Sequence, residues 1–182
     1  VFSKLAYDPD TDFAPVSLIT TYQFCLSVPG TSPIKDVKGL IEWMKKNPNQ
    51  ANYGSPAAGS LPHFFGLMIG KAAGVEMVHS SYNGSAPLVT ALIGNQIPMG
   101  VDAYDAQSAY HPDKIRILAT AGTSRKHPDI PTFKELGYKD IEGIGWNGIV
   151  VPAKTPKPVI QKLSDAIVKA VKMPDVKEKI EK

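Results

Sequence analysis

One cysteine in 182 residues, Cys25, is too few for an internal disulfide, so cysteine usage says nothing about the compartment. It lies in the apolar run FCLSV and reads as a small buried hydrophobe, with no neighbouring base to make it a nucleophile. Long apolar runs are absent too: none approaches the roughly 20 residues that span a bilayer, which excludes insertion through a helix of this chain. Net charge is only +3. From Lys154 onward there are eight lysines against four acidic residues, so the remainder carries −1, and the basic tail reads as a solvated helix face. Aromatic residues make up 8%, with no basic stripe beside them, which argues against a nucleic-acid partner. No His or Cys spacing suits a metal, and no dinucleotide fingerprint, phosphate loop or nucleophile elbow is present, so no cofactor is expected. The first residue is not Met and no signal-peptide pattern stands there, so a processed protein or an excised piece is expected.

The chain does have an alternation of strand and helix patterns. FCLSV (24–28) reads as a strand and DVKGLIEWMKKN (36–47) as a helix, with Val37, Leu40, Ile41 and Met44 on one face and Asn47-Pro48 as its stop. ANYG (51–54) reads as a short strand. The next helix carries Phe64, Phe65, Met68, Ile69 and Ala72 and ends at Gly74. VEMVH (75–79), IPMGVDA (97–103) and IRILAT (115–120) read as strands. SAPLVTALIG (85–94) and a weaker segment at 104–110 read as helices between them. This cadence predicts an α/β domain with a parallel sheet covered by helices. Beyond residue 120, Thr132 and Glu135 have capping-box spacing for one short helix, and GIGWNGIVVP reads as a strand. Thr155-Pro156 opens an amphipathic helix through Ile160, Leu163, Ile167 and Val171. A further strand is expected at about Val16–Thr20, and the two ends of the chain read as parts of one domain.

Ligands of such sheets bind outside the carboxyl ends of the strands. Three segments there share a character: SPAAGS after the strand ending near Gly54, SSYNGSA after the one ending near His79, and Asp102 after IPMGV. Two of them run small and hydroxyl residues into a helix start, where unpaired N–H groups and the helix dipole suit a carboxylate or phosphate. Ser55, Ser60, Tyr82 and Ser85 can add hydroxyl donors. Plain helix capping by Ser and Gly accounts for either loop equally well. A Ser60–His63–Asp102 triad can be drawn, but the spacing does not require it, and His63 is more simply a residue that packs on or hydrogen-bonds to the loop. His111 and His127 lie in polar loops, and Trp43 and Trp146 read as filling core or interdomain space.

DFAPVSLI, YGSPAAGSLPHF, YNGSAPLVTALIGNQIPMGVDA, ILATAG, DIPTFKELGY and WNGIVVPAKTPKPVIQKLSDAIVKA, in this order, resemble the Bug-type periplasmic receptors of tripartite tricarboxylate transporters. The resemblance covers almost the whole chain. It implies a bilobal fold of the periplasmic-binding-protein type II kind, with residues 21–145 as one complete lobe and residues 1–20 and 146–182 as parts of the other. It also implies a site for a small carboxylate made by Ser55, Ala57, Ala58, Gly59 and Ser60, by Tyr82, Gly84, Ser85 and Ala86, and by Asp102. The expected partners are membrane transporter subunits, the expected place is the periplasm, and no catalysis is expected. Two departures stand out. Ala57 replaces a frequent Gly, which calls a positive φ there into question, and Ser81 replaces a frequent Pro. The rival readings are a serine-dependent hydrolase using Ser55 or Ser60 and the effector-sensing domain of a regulator.

Overall fold

The computed structural model describes residues 4–181, which fall into two compact units. One runs from Tyr22 to Gly145; the other combines the residues up to Thr21 with those from Trp146 on.

The first unit is an α/β domain on a mixed sheet. Strand β1 (Phe13–Pro29), which belongs to this unit from Tyr22 on and to the other unit before it, leads to helix α1 (Val37–Lys46), a 3-10 turn, strand β2 (Asn52–Ser55) and helix α2 (Leu61–Ala73). Then follow β3 (Val78–Ser81), α3 (Ser85–Ile93), β4 (Gly100–Ala103), the short α4 (Tyr104–Ser108) and β5 (Ile115–Thr120). The strand order is β3-β2-β4-β1-β5. β2 runs parallel to β3 and β4, but β1 lies antiparallel between β4 and β5. The all-parallel expectation is therefore corrected. A helical pattern separates successive strands from β2 to β4, which produces parallel neighbours, but nothing local reveals that the opening strand inserts between β4 and β5 in the opposite sense. That strand is also one continuous element of 17 residues, where the sequence suggested two separate strands.

Local chemistry sets the helix ends. Asp36 caps α1, its carboxylate accepting the Gly39 N–H at 2.7 Å. Gly74 closes α2 in the left-handed conformation, φ 66°. Thr132 and Glu135 do form the reciprocal bonds of a capping box, Thr132 N–H to Glu135 Oε2 at 2.7 Å and Glu135 N–H to Thr132 Oγ1 at 3.1 Å. The chain there makes only a turn, however, and the helix expected after it does not form.

The core gathers Leu26, Leu40, Met44, Tyr53, Ile69 and Met99, all fully buried, with Trp43 packed partly against them. A second cluster centres on Leu88 and Leu92 of α3. It fits because glycines pave the sheet below it: a Cβ on Gly54 would lie 2.5 Å from a Leu88 methyl, and one on Gly100 2.9 Å from a Leu92 methyl. Gly54 and Gly100 are paired across β2 and β4, so α3 settles onto a bare strip of backbone.

In the second unit, strand β6 (Ile144–Pro152) pairs with β1, helix α5 spans Lys157–Val171 and helix α6 spans Pro174–Glu181. No residue of α5 is buried, and Trp146 is 61% exposed, so it does not fill a core. Among the described residues no helix is long and apolar enough to cross a membrane.

Candidate functional site

Because β2, β3 and β4 are mutually parallel, their carboxyl ends share one edge of the sheet, and the three segments singled out in the sequence follow those ends. They are joined directly. The Tyr82 N–H donates to the Ser55 carbonyl and the Gly84 N–H to the Pro56 carbonyl, both at 2.9 Å, tying the loop before α2 to the loop before α3. Ser85, the first residue of α3, lies beside Asp102 at the end of β4.

Neither helix start is capped by a side chain. The Ser60 hydroxyl, in the N-cap position of α2, turns back to the Ala57 carbonyl at 2.6 Å. Gly84, in the N-cap position of α3, has no side chain to offer and adopts φ 96°, ψ 178°. Side-chain capping therefore does not account for these small and hydroxyl residues. Proline follows closely in both helices, Pro62 in α2 and Pro87 in α3, so the N–H groups that remain in the first turns are those of Leu61, His63, Ser85 and Ala86. Ala57 does not adopt positive φ: among the described residues Asn95 is the only non-glycine that does, and the left-handed turn of the loop falls on Gly59, φ 74°. The Ala57 departure is therefore harmless to the backbone.

Two histidines brace the first loop from beneath. His63 Nδ1 accepts the Gly59 N–H at 2.9 Å, which removes that amide from any external partner. The His63 ring stacks on His79 with centroids 3.9 Å apart and planes 13° apart, and His79 Nε2 is hydrogen-bonded to Ser55 Oγ at 2.7 Å. Tyr53 underlies both rings, its hydroxyl bound to the His63 carbonyl at 2.8 Å. Burial, and then the adjacent His63, pushes the His79 pKa below its ordinary value. A histidine depressed on folding binds more protons unfolded, so its contribution to stability is present above about pH 6.5 and is lost as pH falls through the lower folded value. Thermal melts at about pH 5 and about pH 7.5 should show this loss, and a His79→Gln variant should show less of it. An identical pH response in the two proteins would contradict the assignment.

The drawn triad does not assemble. Ser60 Oγ donates its proton to the Ala57 carbonyl, and His63 Nδ1, which accepts the Gly59 N–H, cannot donate to Asp102, so the relay is not formed. Ser55 does meet a histidine, but it is completely buried, beyond the reach of a substrate. Among the described residues no group of three or more His, Cys, Asp or Glu could hold a metal ion.

Asp102 is 2% exposed. Burial raises its pKa, while the nearby Ser85 hydroxyl and the Ala103 N–H, at 2.7 Å from Oδ1, pull it back. Oδ2 is left without a hydrogen bond of good geometry among the described residues. In register across three strands, Asp102, Cys25 and Thr120 form one row, so their side chains share a face. Among the described residues Thr120 Oγ1 also lacks a partner, as does Nε2 of the buried Gln107, whose Oε1 accepts from Cys25 at 3.6 Å. A buried polar atom left unpaired costs about 1–3 kcal/mol, so this row calls for water or a polar ligand. Sequence reading missed Thr120 and Gln107. They stand in an unremarkable strand and helix, and only the insertion of β1 between β4 and β5 aligns Thr120 with Asp102.

All 182 residues match the family described as the tripartite tricarboxylate transporter family receptor. The chain belongs to that family. Among relatives of this receptor family, a UPF0065 protein in the gbd 5' region of Cupriavidus necator is 34% identical over 99% of the chain and 55% of its own length. The chain thus spans about half the length of the curated relatives it matches. Among solved structures, Rpa4515 of R. palustris with adipate superposes with a TM-score of 0.88 at 28% identity, covering 98% of this chain and 61% of that one. The periplasmic binding protein BugD gives 0.86 at 30% identity, covering 94% and 58%. MatC of Rhodopseudomonas palustris with bound malate gives 0.85 at 29%, covering 96% and 60%. The fold is accordingly the α/β fold of the periplasmic binding proteins, and the receptors it resembles are binding proteins, two of them holding a dicarboxylate.

Proposed function

We propose that the chain is part of a periplasmic receptor that captures a small carboxylate for a tripartite transporter, without catalysis. In this reading residues 22–145 are a complete ligand-binding lobe, and the terminal segments belong to the other lobe. The observation that carries it is the pair of helix N-termini, uncapped by side chains and tied together at one sheet edge beside an incompletely bonded Asp102. A carboxylate oxygen accepting an N–H there gains about 1.5–3 kcal/mol per hydrogen bond, and a helix dipole adds about 0.3–1. Ser85 supplies a hydroxyl donor, Ala57, Ala58, Gly59 and Ala86 keep the approach open, and Asp102 orients a hydroxyl, an amine or an ordered water of the ligand. The adipate and malate held by two relatives support a dicarboxylate.

One lobe supplies one wall, so this chain alone should bind malate or adipate no more tightly than about millimolar, near −4 kcal/mol. Amide NMR of the labelled protein titrated with malate tests both the ligand and the place. The resonances of Leu61, His63, Ser85 and Ala86 should move together and saturate. Perturbations confined to other residues, or micromolar binding in calorimetry by this chain alone, would contradict the assignment.

A further inference from the structure

The chain contains 11 asparagine and glutamine residues, and five of them line a single pocket: Asn49, Gln50, Asn52, Asn95 and Gln96. A share this large in one place is far above what an even spread over the chain would put there. The pocket has a volume of about 460 Å³, within the range of small-molecule sites, and carries no ionisable side chain. It lies at the opposite edge of the sheet from the carboxylate site. Asn52 opens β2, and Ile97 and Pro98 lead into β4, whereas the site loops follow the far ends of those strands.

The walls are held in shape in advance. The loop after β1, which contributes Thr31, Ser32 and Pro33, is clamped from behind by Arg116. Its guanidinium donates to the carbonyls of Ser32 at 2.9 Å, Ile34 at 3.0 Å and Gly30 at 2.9 Å. A cation is thus used up on loop carbonyls. Across the pocket, Thr31 Oγ1 donates to Asn95 Oδ1 at 2.8 Å, joining this loop to the one after α3. Asn95 is in the left-handed conformation, φ 55°, directly after α3, a position asparagine tolerates. The Trp43 indole forms a partly buried apolar wall.

We propose that this pocket is a second binding site, for a neutral polyhydroxylated ligand of the sugar type. A carboxamide presents donor and acceptor side by side, which a vicinal pair of hydroxyls matches, since each O–H both donates and accepts. A carboxylate brings no donor and finds no cation here, and an ammonium brings no acceptor and finds no carboxylate. The C–H face of a sugar ring is apolar enough to lie against Trp43. A site of this kind takes a ligand independently of the carboxylate edge, and the inference does not rest on the carboxylate reading.

Trp43 is also the reporter. The chain has two tryptophans, and Trp146, in the other unit, is largely exposed, so Trp146→Phe leaves Trp43 as the only tryptophan emitter. Titration of that variant with glucose, N-acetylglucosamine and maltose should change its emission saturably for at least one sugar, and malate should not. Asn49→Ala and Gln96→Ala, both at exposed positions, should each weaken the response about tenfold while circular dichroism stays unchanged. The proposal is overturned if none of the three sugars gives a saturable response, if both alanine variants bind as well as the parent, or if a neutral peptide such as trialanine saturates the signal where the sugars do not.

Discussion

Leu88→Ala should lower the stability of the lobe by about 2–5 kcal/mol, enough to shift the urea midpoint strongly. Leu88 is fully buried and is the side chain by which α3 meets the bare backbone of Gly54. Truncation leaves a void that the sheet cannot close, because the glycine beneath has no side chain to move into it. The reciprocal change, Gly54→Val, should be comparably harmful, since even a Cβ would lie 2.5 Å from Leu88 and 2.7 Å from Ile97. Chemical denaturation of both variants, with the slope checked against the parent, measures this. A loss below about 1 kcal/mol for Leu88→Ala would mean that α3 is held in place by something else.

Gly84→Ala should have a smaller effect on stability and a larger one on binding. The backbone at φ 96°, ψ 178° lies in a region open essentially to glycine alone, where a side chain costs about 1–3 kcal/mol. Among the described residues nothing stands within 4 Å of the added Cβ, so the cost is conformational and not a clash. Any relaxation of that strain rotates the peptide that starts α3, and with it the N–H groups of Ser85 and Ala86 and the Gly84 bond to Pro56. The variant should therefore melt a few degrees lower and lose the malate-induced shifts at Ser85 and Ala86. Unchanged shifts in a destabilised variant would place the ligand elsewhere. Unchanged stability would mean that the strain does not exist.

The two predictions meet at α3, which is held down by its apolar face and aimed by the glycine ahead of it. Core packing and site geometry are the same contacts there. Gly54, Gly100 and Leu88 set the depth at which the helix lies, and Gly84 sets where its first amides point.

Most of the elements were legible in the sequence because their causes are local. Val37, Leu40 and Met44 recur at helical spacing, and all three are buried in α1. Gly74 stops α2 because glycine adopts the left-handed conformation freely, and IRILAT spans β5 from end to end. The loops before α2 and α3, with Asp102, could be picked out because parallel strands put their carboxyl ends on one edge, and small residues ahead of a helix are visible in any sequence. Where the reading failed, the cause was distance along the chain. The antiparallel insertion of β1 between β4 and β5 is a choice among strand partners about 75 to 95 residues apart, settled by the fit of whole faces and not by any local pattern. The same insertion aligned Thr120 with Asp102. Stacking set His63 against His79, and chain reversal brought five carboxamides from two separate stretches around one pocket. Propensity and spacing act over a few residues and so write the elements and the helix ends into the sequence. Pairing, burial and the meeting of polar groups come from the free energy of the packed whole, and only the tertiary structure decided them.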